Sequence, residues 1–441
     1  MAAAVEKFRE THLAFADTPS DTPKWKSNFI DAFHYTTQSQ VAVTLFLTGH
    51  EPQNTSAITT IKHRTNWSKI SLTWLEFQSR SHNVFIQHIG NSEKEYYDIH
   101  TDRYVDGYCA MTKTVYQFLG CYYHGCPKCF PDPTKMHPQK HVRFADLLKS
   151  TQAHLIALRD KYRVVCIWEC EWKEQYTPTE YDEELCNIIL DRDELFYGGR
   201  TEVFSPYCQV NDKEKLEYHD VCSLYPTVCS HDTLPIKFPV RYFGSFAHAQ
   251  LERINPSHPD PIFGYIRCRI QPNPKDCLRL IPSRIDGKLV FDLNEKVGTW
   301  FSEEIYLALS QGYIILNVYE ILHWTAETRG NNYMKGYMSY FLRMKQESEG
   351  WKKAGATLET PSDDIKQAKI QELFELNGNM ARMRPDFVEK NDVRRGTSKI
   401  YLNCLWGKLA QSSDQETMKV IYGFHQFHKI HYDPEVNPQS I

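Results

Sequence analysis

The chain is 441 residues long, 41% hydrophobic and 24% charged, with a formal net charge of −4. That length accommodates roughly two or three domains with their own cores, and the charge excludes a uniformly basic nucleic-acid coat while leaving room for a local basic channel. No window approaches about eighteen consecutive apolar residues, and MAAAVEKFRETHLAF lacks the parts of a secretory signal, so an intracellular protein, nuclear or cytoplasmic, without a membrane span is expected.

Residues 1–60 carry Thr/Ser/Pro-rich stretches around one apolar run, VAVTLFL, and have no assignable chemistry. From Trp67 the pattern sharpens. SKISLTWLEFQ has helical spacing; VFIQHI, YYDIH, RYVDGY and TVYQFLG read as short strands; FADLLKSTQAHLIALRDKY is an amphipathic helix and RVVCIW a buried strand. This order predicts a compact α/β domain over residues 65–172. The polar, acid-rich segment EWKEQYTPTEYDEELCN reads as a linker across 173–195. FYGGRTEVF then precedes EYHDVCSLYPTV and a long mixed region, giving a second domain over 196–330. Residues 331–415 read as helical, through YMKGYMSYFLRMKQESEGWKKA, DDIKQAKIQELFELNGNMARM and SKIYLNCLWGKLAQ, and 416–441 open a further portion. There is no internal repeat.

Thirteen cysteines, an odd number, suit metal binding in a reduced compartment better than a disulfide scaffold. Cys121, Cys126 and Cys129 form C-x4-C-x2-C on one loop, and Cys170 ends the distant strand RVVCIWEC. Four thiolates satisfy tetrahedral zinc and can pin a loop to a sheet edge; unconnected thiols are the alternative. His124 lies within the loop and could replace one of them.

Two further clusters suit phosphoryl transfer. In Asp220-Val-Cys-Ser-Leu-Tyr-Pro226, a strand would set one carboxylate beside a turn, as a magnesium ion bridging triphosphate oxygens requires. Tyr225 could pack under the incoming sugar and reject a ribose 2′-OH. A capping Asp before a turn is the plain alternative. In Lys399-Ile-Tyr-Leu-Asn403-Cys-Leu-Trp406-Gly407, Lys399 and Asn403 fall one helical turn apart on one face. Lys399 could meet a triphosphate or protonate departing pyrophosphate, with Trp406 and Gly407 near the nascent base pair. Arg394, Arg395 and Lys408 make this the most basic short stretch of the C-terminal half; a solvated amphipathic helix is the alternative.

Together these residues resemble the family B DNA polymerases of the protein-primed, organellar and viral type. Asp220 to Pro226 matches motif A (D-x-x-S-L-Y-P). Lys399 to Gly407 matches motif B (K-x-x-x-N-S-x-Y-G), with Cys404 for the usual serine and Trp406 for the usual tyrosine. Phe196-Tyr197-Gly198-Gly199-Arg200 is similar to the Y-x-G-G element that contacts template, with Phe at its first position. The resemblance implies catalysis by Asp220 and Lys399, and nucleotide binding by Ser223, Leu224, Tyr225, Arg395, Lys399 and Asn403. It implies DNA binding by Tyr197, Gly198, Gly199, Arg200, Trp406, Gly407 and Lys408. It also implies two magnesium ions, deoxynucleoside triphosphates, a primed DNA template and a terminal protein as primer. The family's second aspartate, in a D-T-D motif, is absent: after Gln411 only Asp414, Asp433 and Glu435 are acidic, apart from Glu416. A fragment ending before that motif, with half of the metal site, is therefore expected.

Residues 106–172 resemble the very-short-patch mismatch-repair endonucleases of the restriction-endonuclease fold. Gly120-Cys-Tyr-Tyr-His124 and Trp168-Glu-Cys170 match, Asp106 stands at the metal-binding aspartate, and His124 falls on the active-site histidine, which favours a four-cysteine zinc site. Polymerases of Maverick/Polinton transposons are similar across the same region. Phe118 and Leu119 replace that family's threonine–histidine pair, and Gln117 stands where an acid would bind magnesium better. The expected fold is thus multidomain α/β and α+β: a restriction-endonuclease-like α/β domain, then an incomplete polymerase palm and helical fingers. A catalytically inactive DNA-binding relic and an active endonuclease are the competing functions.

Overall fold

The computed structural model describes Ala42, Phe46 and residues 68–409 except 93–94, 188–194, 204, 222, 277, 354–355, 358–360 and 377. The expected start of a further portion at 416–441, with Asp414, Asp433 and Glu435, lies outside the described residues.

The first unit opens with α1 (Lys69–His82), whose Ser68 hydroxyl accepts the Ser71 N–H as an N-cap. It continues through β1 (Gln87–His88), β2 (Tyr96–Asp98), β3 (Arg103–Val105), β4 (Gly107–Cys109) and β5 (Thr114–Leu119). The short α2 (Cys121–His124), α3 (Phe144–Arg159) and β6 (Arg163–Trp168) complete it. The sheet order is β1-β4-β5-β6. Neighbours β4 and β5 are antiparallel, while β5 and β6 are parallel because α3 carries the chain back between them. The apolar face of α1 supplies Trp74 and Leu75 to a core with Ile86, Tyr116, Phe118 and Trp172. The strand RVVCIW forms as expected but is only half-buried, because β6 is the edge of this sheet.

The expected linker folds. Helices α4 (Glu169–Gln175) and α5 (Glu180–Asn187) occupy much of it. Asp182 is buried, accepting from Arg80 at 2.7 Å and from the Tyr176 hydroxyl at 2.6 Å, and Leu185 packs with Phe243 and Tyr319. The polar composition was misleading because the acids on one face of α5 are tied to basic partners: Glu180 and Glu184 both reach Arg269.

The second unit holds α6 (Leu224–His231), β7 (Thr233–Pro235), β8 (Val240–Phe243), α7 (Ser245–His248), β9 (Gly264–Gln271), β10 (Pro282–Ile285) and β11 (Lys288–Phe291). It continues through β12 (Lys296–Phe301), α8 (Ser302–Ser310), β13 (Ile314–His323) and β14 (Arg329–Asn331). Its main sheet is antiparallel in the order β12-β9-β13-β8. Along β9 the alternation of Ile266, Cys268 and Ile270 with Arg267 and Arg269 sends the apolar set into a core with Trp300, Ile305 and Ile321. Arg267 is nevertheless buried; it donates to the Glu184 carbonyl at 2.7 Å and lies over the Tyr319 ring.

The helical third comprises α9 (Lys335–Glu347), the short pair β15 (Lys352–Lys353) and β16 (Ala356–Thr357), α10 (Asp363–Leu376) and α11 (Asp392–Leu409). Helices α6, α9 and α11 share one core built on Tyr337, Phe341, Met344, Tyr401 and Leu405, into which Phe46 also packs. Glu347 is fully buried there and forms two parallel bonds with Arg384, each 3.0 Å.

Candidate functional site

The four cysteines are brought together. Their sulfur atoms all lie within 4.8 Å of one another, and Cys126 Sγ is 3.8 Å from Cys170 Sγ. Thiolates bound tetrahedrally to zinc at about 2.3 Å would sit about 3.8 Å apart. Three of them come from α2 and the turn after it, and the fourth from the first turn of α4, directly after β6. The Cys170 N–H points at Cys121 Sγ at 3.4 Å, and the Cys121 N–H donates to Glu169 at 3.1 Å, which aligns both ligands. Burial pushes the Cys121 thiol far up. At Cys126 burial acts in the same direction, but the N–H groups of Cys129 and Lys128 outweigh it and the thiol falls below its usual value. His124, the alternative to one of the cysteines, lies outside the cluster: its Nδ1 is 3.2 Å from the Thr151 hydroxyl on α3, and burial, with Lys140 and His154 nearby, pushes its pKa down to about 4.

Asp106 precedes β4 with its carboxylate accepting the Phe118 N–H at 2.7 Å. Burial raises its pKa to about 7, against that hydrogen bond and with a smaller contribution from Glu95. Gln117 beside it on β5 is buried.

Asp220 does not stand on a strand. Residues 205–221 are exposed throughout among those described, and none pairs with a strand. A strand needs a partner for its backbone groups, and no described strand flanks this segment. The cysteine cluster is the one group of three or more metal-ligating side chains among the described residues, and Asp220 is not in it. Ser223 follows at φ +57°, a left-handed conformation uncommon for serine, and opens α6 as its N-cap residue. Leu224 and Tyr225 then project to the surface while Pro226 is buried.

Asn391 precedes helix α11, and its side chain accepts the Arg394 N–H at 2.9 Å. Its inner face buries Thr397, Ser398, Tyr401, Leu402 and Leu405. Lys399, Asn403 and Trp406, spaced by four and three, share the exposed face. Gly407 and Lys408 are half-buried in the last turn. The Trp406 ring stacks on Tyr225, centroids 4.7 Å apart and planes 15° from parallel. Thus an aromatic pair joins the two polymerase-like clusters across about 180 residues of chain. Arg395, expected at the nucleotide, is bridged to Glu349, just past the end of α9, at 2.9 Å.

The Gly-Gly segment lies against the β10–β11 hairpin. Arg284 donates to the Phe196 carbonyl and sits over the Tyr197 ring; Arg200 bonds Glu202 and the Leu278 carbonyl, and lies over Phe291 at 4.8 Å. A Cβ on Gly198 or Gly199 would meet nothing within 4 Å.

Sequence reasoning missed the polar network that seats α11. Glu347 holds Arg384 and, at 3.6 Å, Arg394. The signal was an acid among apolar residues on the buried face of YMSYFLRMKQE.

No curated protein matches the chain. Among solved structures, phi29 DNA polymerase complexed with primer-template DNA, a post-translocation binary complex, is 16% identical over 44% of this chain and 26% of that chain, with a TM-score of 0.26. The ternary complex of phi29 DNA polymerase with primer-template DNA and incoming nucleotides is 14% identical over 43% and 25%, with a TM-score of 0.23. The chain therefore spans about a quarter of the phi29 chains it matches. Residues 192–356 match the model of the family DNA polymerase type B, organellar and viral, and over that region the chain is similar to those enzymes.

Proposed function

We propose that this chain is part of a protein-primed-type family B DNA polymerase, which adds deoxynucleotides to a primer on a DNA template. The stack of Tyr225 on Trp406 carries the reading. It joins the motif A-like cluster, inside the matched region, to the motif B-like helix, outside it. In this reading Lys399 and Asn403, exposed on the same face of α11 as Trp406, meet the triphosphate and the base pair, and Tyr225 lies under the sugar. Gly198 and Gly199 support the template role of their segment. Among the described residues a Cβ on either would meet nothing within 4 Å, which leaves room for a partner to approach the backbone closely. A terminal protein as primer remains part of the proposal. Cys404, Trp406 and the cysteine cluster favour the Maverick/Polinton-like branch.

The magnesium site does not fit as described. Among the described residues Asp220 stands without two further ligating side chains, so no step through magnesium is derived. The cysteine cluster fits zinc by donor type and spacing, and the ion would cross-link α2 to the start of α4. Asp106, half-buried and engaged by a backbone N–H, suits a structural acid better than an open nuclease ligand. We therefore read the first unit as structural and DNA-contacting.

The test is extension of a labelled primer on a DNA template by the chain joined to a downstream segment bearing D-T-D, with Asp220 intact and as Asp220→Asn. Extension that disappears in the variant while DNA binding persists supports the reading. Undiminished extension by the variant removes Asp220 from the role.

A further inference from the structure

The loop that leads from Cys126 to α3, residues 127–143 with Cys129 near its start, has no part in the polymerase site. It carries four cations, Lys128, Lys135, Lys140 and Arg143, against one acid, Asp132, in a chain whose net charge is negative. Almost every residue in it is exposed, yet the loop is internally braced. Phe130 stacks on Phe144 at 4.0 Å, and the buried His137 accepts the N–H groups of Gln139 and Lys140 on Nδ1. The backbone closes on itself through His137 to Val142 at 2.7 Å and Phe144 to Lys135 at 3.0 Å.

Two of the cations are neutralised: Lys128 by Glu174 at 2.6 Å and Arg143 by Asp146 at 2.9 Å. Among the described residues Lys135 and Lys140 pair with no acid. Each ammonium is seated on a ring instead, Lys135 over Phe130 at 5.7 Å and Lys140 over Tyr123 at 5.6 Å. A lysine held at a fixed site loses less entropy on binding an anion than a free one. We propose that this loop is a docking surface for the phosphate backbone of duplex DNA, with Lys135 and Lys140 as its contacts.

Phosphates rather than bases follow from the chemistry offered. The loop presents fixed point charges, while Phe130 is already stacked, so contact is made without sequence choice. The inference rests on the polymerase reading only in choosing DNA as the anion.

The experiment is binding of the full, zinc-loaded chain to labelled duplexes of two unrelated sequences across a salt series, for wild type and Lys135→Glu/Lys140→Glu. The expected result is a loss of about tenfold or more on both duplexes, with the slope of log K against log salt shallower by about 1.8, the loss of two phosphate contacts. Zinc content and melting temperature should be unchanged, and Lys135→Gln/Lys140→Gln should fall between. Equal affinity and slope in the double variant overturn the proposal, and leave the polymerase reading to the Asp220→Asn extension test. Tighter binding to single strands, lost in Tyr123→Ala, would put base stacking in place of backbone contact and also overturn it, as would stronger binding to phosphatidylserine vesicles than to DNA.

Discussion

At position 106 the fold withholds a carboxyl from water and offers one N–H in return, that of Phe118. In the unfolded chain this group releases its proton near 3.8, and in the folded chain near 7. The folded state therefore holds the proton more tightly. The resulting stability is fully present below about 3.8 and is lost as pH rises through about 7. Asp106→Asn keeps the acceptor and removes the charge, so at pH 8 it should be more stable than wild type by on the order of 4 kcal/mol, with little difference at low pH. Urea midpoints for both proteins across that range measure it; a variant less stable at pH 8 would mean that the charge has a partner. Tyr225 poses a different question. If its ring lies under the sugar, Tyr225→Ala should cut discrimination against ribonucleotides about tenfold or more, read as the ratio of deoxynucleotide to ribonucleotide incorporation. An unchanged ratio would leave the stack on Trp406 as packing alone.

Two elements depend on polar cross-links. Helix α11 presents Lys399, Asn403 and Trp406 only while its first turns are held against α9, and the buried Glu347 does much of that through Arg384 and Arg394. Glu347→Ala leaves two guanidinium groups facing a void and should cost about 3–5 kcal/mol, measured by thermal or denaturant unfolding; a loss below about 1 kcal/mol would show the pair to be solvated. The loop after α2 depends on its thiolates in the same way. Zinc analysis should find one ion per chain. Chelation, or Cys126→Ser, should lower the melting temperature and expose residues 121–143 to proteolysis, since the metal's binding energy is folding energy for such a loop. A metal-free protein with the same melting temperature would refute a structural ion.

At the scale of the molecule, the Glu76 carboxylate lies at the meeting of the first unit and the antiparallel sheet, beside ring contacts of His88 with Phe243 and of Phe85 with Phe246. Gly90 donates its N–H to His88 Nδ1 at 3.0 Å, so the ring hydrogen sits on Nε2 and is donated to Glu76 at 3.0 Å. The other oxygen of Glu76 accepts the Ser245 N–H at 3.3 Å. The chain turns there at Gly244, φ +58°, where a Cβ would overlap the Glu76 carboxylate. Gly244→Ala therefore meets both backbone strain and a collision, and should destabilise by about 2–3 kcal/mol. Limited proteolysis should then cut between the units faster than in wild type; an unchanged rate would show that the contact around Phe85 and Phe246 suffices.

Local pattern determined much of this protein. The helical spacing of SKISLTWLEFQ and FADLLKSTQAHLIALRDKY, the alternating strands and the shared face of Lys399 and Asn403 are set by periods of 3.6 and 2, which neighbouring residues carry by themselves. The spacing of Cys121, Cys126 and Cys129 was legible too, because those three share one loop; that Cys170 joins them is a fact of the tertiary structure. Tertiary structure decided what depends on residues distant in sequence: that the acid-rich linker folds, that Arg395 is engaged by Glu349, that Asp220 finds no strand partner among the described residues, and that Tyr225 meets Trp406. An ion pair, a ladder partner or a ring stack is a property of two segments, and the order of residues in one of them holds no record of the other.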